Sequence, residues 1–144
     1  MKANTYLHFN GNCKEAMNFY ADVLGGTITT SMLFREAPDE VRNDFPEETL
    51  DLILHCTLEV NNFIIMASDY YSNSEPLNKG NNFAISLNTE DEEQTVAIFN
   101  GLAEEGSITM PLAETFWGGK FGMLKDKYNV NWMLSLADNT HHNA

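Results

Sequence analysis

The sequence predicts an α+β chain built from two tandem βαβββ modules, and three observations carry that prediction. One order of alternating and helical hydrophobic periods occurs twice. Side-chain patterns recur at corresponding places in the two copies. The length, 144 residues, is about twice that of a small βαβββ module, which alone would bury too little core.

In the first module, residues 5–10 alternate, with Leu7 and Phe9 on one face and Tyr6 and His8 on the other, as in a half-buried strand. A helix follows. Asn12 is placed to cap it with Glu15 three residues on, and Ala16, Phe19, Tyr20, Val23 and Leu24 form its apolar stripe. Gly25-Gly26 ends it, because glycine accepts the left-handed conformation. Residues 27–35, rich in β-branched side chains, predict a second strand. Residues 50–60 predict a third, with Leu52, Leu54, Cys56, Leu58 and Val60 on one face and His55, Thr57 and Glu59 on the other. After the turn dipeptide Asn61-Asn62, residues 63–68 make a fourth. Residues 36–51, with seven acids, one arginine, Pro38 and Pro46, read as a solvated loop or, more sharply, as a lid over a cleft.

The second module repeats the order. A strand at 83–88 precedes a helix capped by Thr89 with Glu92, striped with Val96, Phe99, Leu102 and Ala103, and ended by Gly106. Strands follow at 108–114, 120–127 and 130–136, the last two joined at Tyr128-Asn129. Asn4-x5-Asn10 is echoed by Asn82-x5-Asn88, and Asn62-x3-Met66-x-Ser68 by Asn129-x3-Met133-x-Ser135. The expected organisation is a single domain: module one over 4–69, a Ser/Asn/Gly/Pro-rich linker over 70–81, module two over 82–137 and a polar tail over 138–144.

Eight basic against 21 acidic residues leave a net charge of −13, which repels phosphate backbones and anionic lipid, so nucleic acid and membrane partners are not expected. Nine Phe, five Tyr and two Trp supply a core that a disordered acidic chain would lack. Cys13 and Cys56 have neither metal-ligand nor disulfide-scaffold spacing and read as reduced thiols. The start of the chain lacks a signal-peptide apolar run and no stretch is long enough to span a bilayer, so a cytoplasmic protein is the expectation. No P-loop, GxSxG or HExxH run occurs.

Several segments together carry a family resemblance. They are Tyr6-Leu7-x-Phe9-Asn10-Gly11-Asn12-Cys13-x-Glu15-Ala16-x-x-Phe19-Tyr20, Met66-Ala67-Ser68-Asp69, Glu114-Thr115-Phe116-Trp117-Gly118, Phe121-Gly122, Asp126-Lys127 and Trp132-Met133-Leu134. Over nearly the whole chain this set resembles the PhnB-like proteins of the glyoxalase/bleomycin-resistance, or vicinal oxygen chelate, superfamily. The resemblance implies a cup-shaped mixed β-sheet with flanking helices, a small-molecule ligand in the cup, and a homodimer. It also implies four His or Glu metal ligands on the first and fourth strand of each module. Those positions fall here on about Asn4, Met66, Asn82 and Met133, none a strong ligand for a hard divalent ion, so no metal site or cofactor is expected. The demethylubiquinone methyltransferase name that some members carry finds no Gly-rich strand-to-helix loop here.

On the face implied to look into the cup stand His8 with Tyr6, and His55 with Thr57 and Glu59. His8, His55 and Glu59 are the candidate acid/base group, and the alternative to simple binding is a divergent divalent-metal enzyme using the same three. Structural hydrogen bonding on a half-buried sheet would equally account for the histidines. Met66 and Met133 would line a soft apolar floor. Trp117, beside Gly118-Gly119 in a loop, suits a flat or apolar ligand, although Phe116, Trp117, Phe121 and Trp132 could equally serve core or dimer packing. Candidate ligand-binding residues are therefore Tyr6, Met66, Trp117 and Met133. With only Arg35 and Arg42, an apolar or cationic ligand is favoured over an anion unless Arg35 or Lys120 points inward. His141 and His142, in the tail, are not counted as a site.

Overall fold

The computed structural model describes residues 1–72 and 75–138, so the expectations for His141 and His142 lie outside the described residues. The chain divides into two compact units, Met1–Asn78 and Lys79–Ala144. The first contains β1 (Thr5–Phe9), α1 (Cys13–Leu24), β2 (Thr27–Leu33), α2 (Asp39–Arg42), β3 (Ile53–Val60) and β4 (Phe63–Asp69). The second contains β5 (Ile85–Thr89), α3 (Glu92–Ala103), β6 (Ser107–Glu114), β7 (Lys120–Lys125) and β8 (Asn131–Leu136).

Each unit is an open, mixed four-stranded sheet, ordered β1-β4-β3-β2 in one and β5-β8-β7-β6 in the other. Only the first pair of each order is parallel. The α+β class and the doubled βαβββ order are as the sequence predicts. Strand alternation puts one set of side chains under the helix. In the first unit Phe9, Cys56, Leu58, Val60, Ile65 and Ala67 are buried with Cys13, Ala16, Met17, Tyr20 and Leu24 of α1. In the second, Leu87, Leu124, Trp132 and Leu134 are buried with Thr95, Ile98, Phe99 and Leu102 of α3. Burying each large apolar side chain contributes about 1.5–3 kcal/mol. Val96, expected in the α3 stripe, is 38% exposed, because the buried stripe is Thr95, Ile98, Phe99 and Leu102, and Val96 stands about 100° round the helix from Thr95.

Three caps differ from expectation. Asn12 makes no side-chain capping bond, and its Oδ1 is buried without a partner. The N–H of Cys13 instead donates to Asp69 Oδ1 (2.9 Å), while Asp69 Oδ2 accepts from Ile53 N (2.9 Å), so one buried carboxylate joins the start of α1 to β3 and β4. The cap of α3 is Asp91, which accepts from Gln94 N (2.7 Å), while Thr89 Oγ1 bonds Thr95 Oγ1 (2.5 Å). After α3 the left-handed residue is Glu105 (φ 59°), and Gly106 is needed for a different reason. A Cβ there would lie 2.3 Å from Lys125 O, just as one on Gly26 would lie 2.6 Å from Glu59 O. The two units thus share a glycine where β2 or β6 passes closest to its neighbour.

Register also tests the sequence echoes. Thr5 pairs with Ile65 and Ile85 with Trp132, so Tyr6 and His8 correspond to Ser86 and Asn88, and Met66 and Ser68 to Met133 and Ser135. The methionine-serine echo is structural. The asparagine echo is two residues out of register, and Asn4 and Asn82 lie outside the strands.

The acidic segment before β3 is more ordered than a solvated loop. Single 3-10 turns at Phe34–Glu36 and Glu47–Thr49 flank α2, and Pro38 and Pro46 each stand immediately before a helical start. The Phe34 ring, 4% exposed, packs on Phe45 (centroids 4.7 Å), which meets Tyr71 (5.7 Å). The turn ending at Leu50 displaces the start of β3 from the expected residue 50 to Ile53. Among the described residues, no helix is long and apolar enough to cross a membrane.

Candidate functional site

The sheet face of the first unit opposite α1 carries the polar candidates. Tyr6 lies opposite Met66, Met66 opposite Thr57, and Thr57 opposite Thr30, forming one row across all four strands. Beside it, His8 lies opposite Ser68, and His55 opposite Met32. Strand alternation, the feature legible in the sequence, therefore does put Tyr6, His8, His55, Thr57 and Met66 on one face.

Tyr6 is the centre of the group. Its ring meets two imidazoles, 5.2 Å from His8 and 5.9 Å from His55, centroid to centroid. Its hydroxyl is 3.4 Å from His55 Nδ1, and His55 Nε2 is 2.9 Å from Thr57 Oγ1. With the proton on Nε2, His55 donates to Thr57 and accepts from the phenol; with the proton on Nδ1, both directions reverse. His8 Nδ1 is 3.4 Å from Ser68 Oγ, and its ring meets Tyr70 edge-on at 6.0 Å. The Tyr70 hydroxyl donates to Glu75 O (3.1 Å). Thr57, Ser68 and Tyr70 are the residues that sequence reasoning left out of the site. Parity did put Thr57 on this face and could have found Ser68, whereas Tyr70 stands beyond the end of β4.

The expected group of His8, His55 and Glu59 does not converge. Glu59 is four residues along β3 from His55, about 13 Å at strand rise. β4 lies between the strands bearing His8 and His55, and each imidazole meets the Tyr6 ring. In register, Met66 stands between Tyr6 and Thr57, and Met133 between Ser86 and Met123. Thioether, phenol and hydroxyl do not make the carboxylate and imidazole set that a hard divalent ion takes. Among the described residues, no three His, Cys, Asp or Glu side chains come together around a point where a metal could sit.

The corresponding face of the second unit is rich in methionine. Met110, Met123 and Met133 occupy one row with Ser86, while Phe121 and Ser135 share the next with Asn88. Trp117 is 60% exposed on the β6–β7 loop, its ring perpendicular to Phe116 (4.7 Å). That loop is held by Thr115, whose Oγ1 donates to Gly118 O (2.6 Å) and whose N–H donates to Gly119 O (3.2 Å). Trp132 is fully buried, and its Nε1 donates to Asp126 Oδ2 (2.8 Å). Arg35 is bonded to Asp51 and Lys120 to Glu92, so both inward-pointing cations considered from the sequence are engaged by carboxylates. On the helix side, burial pushes the Cys13 thiol well above its ordinary value, and the Asp69 charge and Cys56 add to the rise; burial raises Cys56 as well. These thiols are packing groups.

Residues 1–135 match the family model described as 3-demethylubiquinone-9 3-methyltransferase. The chain belongs to that family, the PhnB-like proteins. Protein YjdN of Escherichia coli K12 is 30% identical to this PhnB-like chain, covering 95% of it and 96% of YjdN. The crystal structure of protein PA1353 from Pseudomonas aeruginosa is 37% identical, with a TM-score of 0.85 over 96% of this chain and 99% of that one. The PhnB protein of Bacillus cereus is 30% identical, with a TM-score of 0.75 over 95% and 100%. At 11% identity, a glyoxylase/bleomycin resistance protein/dioxygenase domain from Frankia shares the fold alone, with a TM-score of 0.65 over 95% and 97%. This PhnB-like protein accordingly has the glyoxalase/bleomycin-resistance fold.

Proposed function

We propose that this PhnB-like protein binds a small apolar or cationic molecule on the open sheet face of its first unit, without the superfamily's usual metal. The observation that carries this reading is the composition of that face. Tyr6, His8, His55 and Tyr70 offer ring surfaces, and Thr57 and Ser68 offer hydroxyls, while the four strands contain no Lys or Arg. Their one charged side chain on that face is Glu59. A flat cation gains both ring contact and charge there, whereas a carboxylate or phosphonate finds no fixed positive partner.

The test is a titration of untagged protein with an aromatic amine, a quaternary ammonium compound and an aromatic carboxylate, followed by the histidine and tyrosine ring signals in NMR. The cations should shift Tyr6, His8 and His55, and Tyr6→Ala should remove most of the affinity. Tighter binding of the carboxylate, or shifts confined to other residues, would overturn the reading. Trp117, on the β6–β7 loop of the second unit, is proposed as a ligand contact in its own right, and Trp117→Ala tests it in the same titration.

A second reading, acid/base catalysis, is favoured by the phenol–imidazole–hydroxyl chain of Tyr6, His55 and Thr57, in which His55 could take or return a proton. It predicts that His55→Gln abolishes turnover of a bound ligand while leaving binding within a few-fold. Elemental analysis tests the divalent-metal alternative of His8, His55 and Glu59, since stoichiometric metal lost on His55→Ala would replace the metal-free reading. The methyl transfer in the family's description is outside this proposal, because each sheet has a single parallel pair and neither has a doubly wound nucleotide-binding crossover. We also propose a homodimer, consistent with an edge strand β6 that exposes Ile108; light scattering at micromolar concentration tests it.

A further inference from the structure

We propose that the open face of the second unit carries a soft-metal site, in which the thioethers of Met110, Met123 and Met133 hold one monovalent Cu(I) or Ag(I) ion. This inference is independent of the ligand reading for the first unit. Met110 lies opposite Met123 and Met123 opposite Met133, so three consecutive strands each place one methionine in a single row. Neighbouring strands are about 4.8 Å apart, which puts the outer two backbones about 10 Å apart with Met123 midway. Methionine has three rotatable side-chain bonds, so both outer sulfurs can swing toward an ion seated over Met123.

The row is not a requirement of the fold. At the corresponding row of the first unit stand Thr30, Thr57, Met66 and Tyr6. Nor is it sealed in the core: Met110 is 46% exposed, and Met123 and Met133 are half-buried. Three of the chain's seven methionines therefore stand in one row, none of them fully buried.

Donor chemistry selects the ion. Thioethers are soft neutral ligands that suit Cu(I) and its analogue Ag(I), while Mg²⁺, Ca²⁺ and Mn²⁺ want oxygen. Lys125, two residues along β7 on the same face, adds a positive charge that opposes a divalent ion more strongly than a monovalent one.

The experiment titrates Ag(I) into protein labelled at the methionine ε-methyl carbons. One equivalent should shift the Met110, Met123 and Met133 methyls and leave those of Met17, Met32 and Met66 in place. Met123→Leu, which conserves volume, should weaken binding at least tenfold, while Met32→Leu should not change it. Should Met123→Leu fail to fold by circular dichroism, Met110→Leu on the edge strand carries the same expectation. No binding, binding that perturbs only Cys13 and Cys56, or a variant affinity within twofold of the parent would each overturn the proposal.

Discussion

Replacing Asp69 by alanine should destabilise the protein far more than replacing Asn12, the residue that sequence position marks as the cap of α1. The Asp69 carboxylate is 4% exposed and accepts two backbone bonds, from Cys13 N and Ile53 N, both at 2.9 Å. A hydrogen bond to a charged acceptor contributes about 1.5–3 kcal/mol, and a buried N–H left without a partner costs about 1–3 kcal/mol. Alanine also removes the cost of burying the charge, which offsets part of the loss. The expected net loss is about 2–4 kcal/mol, which in a domain of this size lowers the melting temperature by roughly 4–16 °C. Asn12→Ala, by contrast, deletes a buried oxygen that has no partner and no capping bond. Its effect should stay within about 0.5 kcal/mol, against about 1 kcal/mol for a working cap. Thermal and urea unfolding followed by circular dichroism measure both. If Asn12→Ala costs as much as Asp69→Ala, the assignment of the cap to Asp69 is wrong.

Other expectations follow from the same contacts. Gly26→Ala and Gly106→Ala should each cost about 1–3 kcal/mol in urea unfolding, since the added methyl meets a strand carbonyl at 2.6 and 2.3 Å; a neutral result at either would refute the shared close approach. Glu105→Gly should raise stability by about 1 kcal/mol by relieving a left-handed φ of 59°, and a lower melting temperature would show that the side chain does more than its exposed contact with Lys127 suggests. Asp126→Ala should cost about 2–4 kcal/mol, because Tyr128 N, Val130 N and Trp132 Nε1 lose their acceptor, and Trp132 emission should shift to the red as water reaches the indole. Both thiols are raised, so at pH 8 neither should react with a disulfide reagent until the protein unfolds. The linked stability is full below the ordinary thiol value of 9.0 and falls as pH rises above it, because only the unfolded chain then releases its protons. A melting temperature flat between pH 8 and 10.5 would contradict that coupling.

The sequence by itself determined the class of fold, the order and number of strands, and the sheet face on which Tyr6, His8, His55 and Thr57 stand. Those follow from periodicities of 2 and 3.6 residues and from glycine punctuation, which act over a few residues. Family membership was legible for a related reason: the quoted segments are runs of adjacent residues. His8 and His55 could be placed on one face from parity alone. That Glu59 stands two rows from His55 could be counted along β3, but parity could not say that Tyr6 meets both imidazoles, because distance across a sheet depends on strand order, and β4 enters between β1 and β3 only when the sheet forms. The same limit explains the cap. Asn12 fits every local rule, yet Asp69, 56 residues on from Cys13, reaches the first N–H of α1. The methionine row and the paired glycines are likewise relations between strands far apart in the chain. Local steric and hydrophobic rules fix what each segment becomes, whereas register between distant strands, set by packing of the whole sheet against its helix, decides which side chains meet.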